Sequence, residues 1–283
     1  MLRDVLEFLV CPHCGAGLAM ADRAVACRNG HSYDVARQGY VNLLPGGART
    51  ATADTAAMVA AREAFFAAEH FVPLVRAVAD EARRVVPADN SGCVIDVGAG
   101  PGRYLSAVLE HLPGRVGLAL DLSKHALRRA ARSHPRIGAV VCDVWQQLPV
   151  RAEAAALVLD VFAPRNGAEI LRVLRHDGAL LTVTPMADHL REIVSALDLL
   201  TVDKDKPDRL RQQLSPHLTR VRETAVTFTM TLAAADIHAL VAMGPSAWHI
   251  DRDRVDRRVR ALSEPVAVTA AVTLGEYRPT TRT

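Results

Sequence analysis

An α/β fold, with a Rossmann-like parallel sheet and a small metal-tied module in front of it, is what three features of this 283-residue sequence predict. The first is a short apolar run, Cys93 to Val97, entering the turn Gly98-Ala99-Gly100-Pro101-Gly102. Its β-branched residues and flanking glycines read as a buried strand ending in a tight turn. The second is the alternation of such runs with amphipathic segments over residues 91–283, the pattern of a parallel sheet covered on both faces. The third is a Cys/His quartet with metal-ligand spacing near the start of the chain.

Cys11-x2-Cys14 and Cys27-x3-His31 are separated by twelve residues. Pro12 and Gly15 beside the first pair, and Gly30 beside the second, favour turns that aim two side chains at one ion. Three thiolates and an imidazole fill a tetrahedral shell with no open position, so a structural zinc is expected, with His13 the alternative imidazole. A module confined to residues 1–45 has too little core to fold without such a staple.

The small residues 46–53 read as a linker. Asp54 is expected to cap a helix reaching about Ala67, and an amphipathic helix follows over 72–86, so that residues 46–90 lead into the core. Within 91–283, strands are expected at 93–97, 115–120, 139–142, 156–162 and 179–184. Helices at 103–112, 124–133 and 168–174 separate them, and Asp177-Gly178 reads as a helix stop. A helix over 187–200, the charged loop 203–207 and a short helix to Leu214 come next. Strands at 221–232 and 266–275 close the chain; between them lie helices at 234–243 and 254–262 and a loop carrying Trp248.

The glycine-rich turn brings backbone close to a ligand, because no Cβ stands between them. A dinucleotide loop of the Gly-x-Gly-x-x-Gly type needs its third glycine at position 103, which is Arg. The observed spacing, with Asp96 two residues before the first glycine, resembles motif I of S-adenosylmethionine (AdoMet)-dependent methyltransferases. Asp121 follows Gly98 by 23 residues, at the tip of the second strand, where a carboxylate can accept from both ribose hydroxyls. Asp143 ends the third strand, which in the methyltransferase fold lies beside the adenine. Each of these acids alone would more simply be a helix cap; three in register after one such turn point to a nucleoside site.

Composition sets only loose bounds. Half of the residues are hydrophobic, yet no apolar run approaches the ~20 residues of a membrane span, so no membrane partner is expected. Acids within the opening Met1 to Glu7 argue against a signal peptide, and an odd five cysteines fit a reducing compartment; the cytoplasm is the expected location. A net charge of +3 permits a polyanionic partner without proving one.

Together these motifs resemble the zinc-containing bacterial methyltransferases that modify N1 of a guanine in 23S ribosomal RNA. The resemblance is carried by Cys11-Pro12-His13-Cys14, Cys27 to His31, Gly39-Tyr40-Val41-Asn42-Leu43-Leu44, the glycine-rich loop, Phe162-Ala163-Pro164, Thr184-Pro185 with His189-Leu190, and Met243-Gly244-Pro245 with Trp248. The runs Asp34 to Tyr40, Phe162 to Asn166 and Met243 to His249 look closest to the actinomycete branch, in which the modification confers resistance to tylosin-type macrolides. It implies a seven-stranded AdoMet-dependent methyltransferase domain behind a zinc-ribbon-like module, with Cys11, Cys14, Cys27 and His31 as zinc ligands. It implies further that Gly100, Pro101, His189 and Phe71 lie at AdoMet, although some relatives have Tyr where this chain has Phe71. A 23S rRNA hairpin lining the peptide exit tunnel is the implied partner, and a homodimer the implied assembly.

Guanine N1 must lose a proton on methylation, and Asp160 and His189, expected at strand ends, are the candidates to accept it. Asp160 is equally readable as a buried ion-pair partner, and His189 as a cofactor ligand. The metal module is expected to clamp RNA, although such modules also serve stability alone. Two competing readings are a methyltransferase acting on a quinone or natural product and a non-catalytic RNA-binding protein on a decayed scaffold. Intact Gly98, Gly100, Gly102 and Asp121 oppose decay.

Overall fold

A computed structural model describes residues 2–48, 50–87, 91–199, 212–244, 252–263 and 265–280. The N-terminal part holds a short helix, α1 (Leu2–Val5), and an antiparallel three-stranded sheet of β1 (Leu18–Ala21), β2 (Ala24–Cys27) and β3 (Ser32–Asp34). Next come β4 (Tyr40–Asn42) and the helices α2 (Ala56–Ala67) and α3 (Val72–Val85). The core then alternates: β5 (Cys93–Val97), α4 (Arg103–His111), β6 (Gly117–Asp121), α5 (Lys124–Ser133), β7 (Ile137–Val141), β8 (Ala155–Val161), α6 (Gly167–Val173) and β9 (Leu174–Pro185). It ends with α7 (Arg191–Leu197), β10 (Leu218–Leu232), α8 (Ala234–Ala242), α9 (Arg252–Arg260) and β11 (Val266–Pro279).

The large sheet runs β10-β11-β9-β8-β5-β6-β7-β4. Pairing is parallel from β9 to β4, whereas β11 is antiparallel to both β9 and β10. All seven expected strands are present, and the sheet has an eighth. Residues 40–42 pair in parallel with 139–141, covering the edge of β7 with a strand from the segment assigned to the metal module. The module is also continuous with the sheet inside: Leu9, Cys11, Leu18, Val25 and Cys27 share one apolar cluster with Ile95, Leu118, Leu120 and Val140. Gly138 makes this approach possible, since a Cβ there would stand 2.2 Å from Val5 Cγ2.

Five local expectations are corrected. Thr55, not Asp54, caps α2, its Oγ1 accepting from Met58 N at 3.3 Å. The strand expected at 179–184 begins at Leu174, because the chain turns extended as soon as α6 ends and Asp177-Gly178 lie inside it. The helix expected over 187–200 is described only from Arg191 to Leu197; Leu190, at φ +58°, cannot continue a right-handed helix backward. The last two strands are longer than expected, because their pairing with each other continues to Leu218↔Pro279. Finally, the helix expected at 254–262 spans Arg252–Arg260. The charged loop 203–207 and Trp248 lie outside the described residues.

The chain order places a crevice where it can be used. From β5 the path runs outward through β6 and β7, then returns to β8 on the opposite side of β5. The connections after β5 and β8 therefore diverge to opposite faces, and a gap opens beyond the carboxyl ends of these strands. Among the described residues no helix is long and apolar enough to cross a membrane.

Candidate functional site

Two turns build the metal site. Gly15 N donates to Cys11 O at 2.8 Å and Gly30 N to Cys27 O at 3.1 Å, with both glycines at positive φ. These knuckles bring Cys11, Cys14, Cys27 and His31 together, their ligand atoms all within 4.8 Å of one another. A zinc ion with sulfur at about 2.3 Å and nitrogen at about 2.0 Å sets tetrahedral edges of about 3.8 Å between sulfurs and about 3.5 Å from sulfur to nitrogen. Cys14 Sγ and Cys27 Sγ are 3.7 Å apart, and His31 Nδ1 lies 3.5 Å from Cys11 Sγ and 3.4 Å from Cys27 Sγ. The residues fit zinc, and four protein ligands leave it no open position, so its role is structural.

The His13 ring stands 5.1 Å from that of His31, beside the cluster. Tyr33 touches Cys11 Sγ at 3.1 Å. Burial opposes a Cys11 thiolate, but hydrogen bonding from Tyr33 and from the amides of His13 and Cys14 outweighs it and brings this thiol down to about 6. Burial holds the Cys27 thiol up.

The crevice beyond β5 and β8 is a cleft of about 740 Å³. Phe71, Asp96, Gly98, Gly100, Pro101, Asp121, Asp143 and His189 all line it. Gly98 sits at φ +69°, and a Cβ there would meet Ala163 Cβ at 2.7 Å. The glycine loop and the loop after β8 are thus pressed together without a side chain between them. Asp121 fixes the other side: Oδ2 accepts from Gly100 N at 2.8 Å and Oδ1 from Ser123 N at 2.8 Å. Ser123 itself caps α5, so Asp121 is not the helix cap. Asp143 Oδ1 accepts from Trp145 N at 3.0 Å.

Burial raises the carboxyl of Asp121, and the amides of Ser123 and Gly100 partly offset it. Asp96 is pushed well above the usual carboxylate range by burial first and then by the charges of Asp121 and Asp160. Its Oδ2 and the Tyr104 hydroxyl are buried, line the cleft and have no partner among the described residues. Buried polar atoms of this kind call for a ligand. An ammonium beside Asp96 and ribose hydroxyls at Asp121 meet these needs, so the cleft fits AdoMet.

The two candidate proton acceptors occupy different environments. Asp160 is fully buried, 3.1 Å from Arg165 Nη2, and is not among the residues lining the cleft. His189 lines the cleft, but its Nδ1 accepts from Ala271 N at 3.2 Å. That bond requires an unprotonated Nδ1, which is therefore not open to take a proton from the substrate.

Among the lining residues to which sequence reasoning gave no role are Arg62, Tyr104, Trp145 and Phe162. Arg62 pairs with Asp54 and donates to Met243 O at 2.8 Å, tying the linker and the end of α8 over Gly100. On an amphipathic helix such an Arg reads as solvated, and nothing in its spacing signals otherwise. Phe162 does carry a signal in part, since it lies within the run Phe162 to Asn166 that resembles known methyltransferases.

Both parts of the chain are similar to known proteins. The N-terminal zinc-ribbon model of RlmA matches residues 9–50, and a methyltransferase-domain model matches 94–178. A Streptomyces fradiae protein named 23S rRNA (guanine(748)-N(1))-methyltransferase is 49% identical, over 99% of this chain and 99% of the relative. A Micromonospora griseorubida protein, provisionally named a 23S rRNA (guanine-N(1)-)-methyltransferase, is 52% identical over 98% of this chain and 99% of its own length. Among solved structures, the YcgJ protein of Bacillus subtilis superposes with TM-score 0.51 at 12% identity, over 73% of this chain and 100% of that one, a likeness of fold.

Proposed function

Because this chain belongs to the 23S rRNA (guanine-N1)-methyltransferase family, we propose that it transfers a methyl group from AdoMet to N1 of a guanine in 23S rRNA, in the hairpin lining the peptide exit tunnel. One observation carries the reading: the matches to two such relatives, at 49% and 52% identity, cover 99% and 98% of this chain, so they extend over the zinc module and the α/β domain together. A quinone or natural-product methyltransferase need share only the cofactor half. Resistance to tylosin-type macrolides, cytoplasmic action and assembly as a homodimer follow from the same resemblance.

AdoMet supplies, when bound, a sulfonium methyl that is already strongly electrophilic. The protein's task is then to align the nucleophile and exclude water. Asp121, held by two amides, presents its remaining lone pairs to the ribose, Asp96 faces the ammonium, and Asp143 takes the adenine amine. Phe71, Leu190, Ile193 and Leu240 give the cleft an apolar wall. The bond from Ala271 N to Nδ1 of His189 favours a positioning role for this ring over that of the base that removes the N1 proton. A paired guanine hides N1, so the substrate base is unpaired or extruded.

Methylation at N1 blocks Watson–Crick pairing and stops reverse transcription. Primer extension on 23S rRNA from cells with and without the protein therefore tests the proposal. A new stop at one guanine of the hairpin, reproduced with purified protein and AdoMet, is expected. Absence of any stop, alongside methyl transfer to a lipid quinone, would replace this reading with the small-molecule one.

A further inference from the structure

Among the described residues the large hydrophobic side chains left in solvent are Trp145, 55% exposed, Phe162, 41% exposed, and Val221. Val221 belongs to the outer strand β10, whereas both aromatics border the cofactor cleft. Leaving such rings partly in water forgoes part of their burial energy in a chain that buries apolar side chains well elsewhere. An exposed aromatic pair at the mouth of one cleft marks a binding surface.

Phe162 is moreover held against its own backbone preference. It lies at φ +55°, a region that a bulky residue rarely adopts. The surroundings impose this turn. Phe162 N donates to Val183 O at 3.1 Å, Ala163 fills the space left by Gly98, and Arg165 folds back onto Asp160. The result lifts the ring out of the core and sets it 5.9 Å from the His189 ring. Strain kept in this way at a cleft is characteristic of functional positions.

The second ring is tied to the first. Asn166 caps α6 through Oδ1, which accepts from Glu169 N at 3.3 Å, while its Nδ2 donates to Trp145 O at 3.1 Å. One side chain thus clamps the loop after β7 to the loop after β8 and fixes the spacing of the two rings.

Resting on the RNA reading above, we propose that Phe162 and Trp145 are the stacking surfaces for the substrate. Phe162, beside His189, receives the face of the extruded guanine, and Trp145 takes an adjacent unpaired nucleotide. Asn166 is a positioning residue that sets the distance between them. Guanine offers a π-face to Phe162, and stacking of this kind tolerates the irregular geometry of a hairpin loop.

The test uses the full chain and a 23S hairpin, in parallel with the same hairpin carrying 2-aminopurine at the methylated guanine. Phe162→Gly suits the left-handed backbone, so the fold is retained while the ring is lost. Stacking energies of about 1–3 kcal/mol predict a loss of about 10- to 100-fold in kcat/KM for RNA and weaker quenching of 2-aminopurine. AdoMet affinity should stay within about twofold, and Phe162→Tyr should restore most of the rate, by the same stacking argument. Trp145→Ala should raise KM for RNA by about tenfold with kcat little changed. Unaltered transfer and quenching in Phe162→Gly, or a loss of AdoMet affinity matching the loss of rate, would overturn the proposal. Failure of the unsubstituted protein to methylate the hairpin would instead sink the RNA reading on which it rests.

Discussion

Asp121 Oδ2 receives the amide of Gly100 at 2.8 Å, so the acid at the tip of one core strand holds the ligand-binding loop of its neighbour. The carboxylate anchors the loop, and in the proposed function it also accepts from the ribose. Asp121→Asn keeps the shape but replaces one acceptor oxygen by a donor facing an amide. A charge-assisted bond is worth about 1.5–3 kcal/mol, so AdoMet affinity should fall about 10- to 100-fold. Isothermal titration reads this directly, and unchanged affinity would show that Asp121 serves only the two turns at Gly100 and Ser123.

Two glycines with similar φ separate strain from steric exclusion. Gly98→Ala at φ +69° adds a Cβ 2.7 Å from Ala163 Cβ, whereas Gly30→Ala at φ +85° adds one into open space. Left-handed strain alone costs about 1–2 kcal/mol. Both variants should therefore lose stability, but only Gly98→Ala should displace the 162–164 loop and abolish AdoMet binding. Parallel thermal melts and AdoMet titrations test the pair; equal affinities in the two would mean that the loops are not in the contact described.

Asp160 and Arg165 form a pair with side chains only 0% and 7% exposed. Removing one partner leaves a buried charge, at a cost of about 3–5 kcal/mol, while replacing both with apolar residues is often nearly neutral. Asp160→Asn should thus be strongly destabilised, and Asp160→Leu combined with Arg165→Met should recover much of the loss. Chemical denaturation measures both. A normally stable Asp160→Asn that is catalytically dead would instead return Asp160 to the role of proton acceptor.

Much of this was legible because parallel strands buried on both faces read as plain apolar runs, and β5 to β8 stand close to their expected places. The cleft residues were legible for the same reason, since strand ends converge on a switch point wherever this chain order occurs. Short-range patterns do not encode who pairs with whom at a distance. β4 has three residues, too few for any periodicity, and only its register against β7 makes it a strand of the large sheet. Asp160 and Arg165 are five residues apart, and their contact depends on a left-handed turn at Phe162 that no propensity favours. Leu190 likewise reverses the chain where helical periodicity predicts continuation, and that turn sets His189 against Ala271.

Glu192 supplies a pH dependence. It is only partly buried, and burial by itself works to raise its carboxyl. The amide and hydroxyl of Thr269, at 2.9 and 2.7 Å, outweigh this and lower it from the model-peptide range near 4.5 to about 2. A depressed carboxyl stabilises the fold above its unfolded value and loses that contribution as pH falls through the folded one. The stability gap between the native chain and Glu192→Gln should therefore be full at neutral pH, shrink below about 4.5 and close near 2. Thermal midpoints across this range decide it; a gap independent of pH would assign the effect to packing of α7 on β11.

Zinc removal distinguishes an appended knob from an integral part of the fold. Cys11 and Cys27, two of the four ligands, lie in the same apolar cluster as Ile95 and Leu118 of the central strands. Val5 of the preceding helix packs into the gap at Gly138 in β7. Losing the ion frees two knuckles whose closure relies on it, and the shared cluster transmits the loosening to the sheet edge covered by β4. Chelation, or Cys14→Ser at the exposed ligand, should lower one cooperative melting transition of the whole chain while about one equivalent of zinc is released. An independent module would behave otherwise: its signal would melt early and leave the midpoint of the α/β domain, followed by AdoMet-dependent protection, where it was. Hydrogen exchange would then show exposure confined to residues 9–34, whereas the shared core predicts that it spreads to β4 and β7.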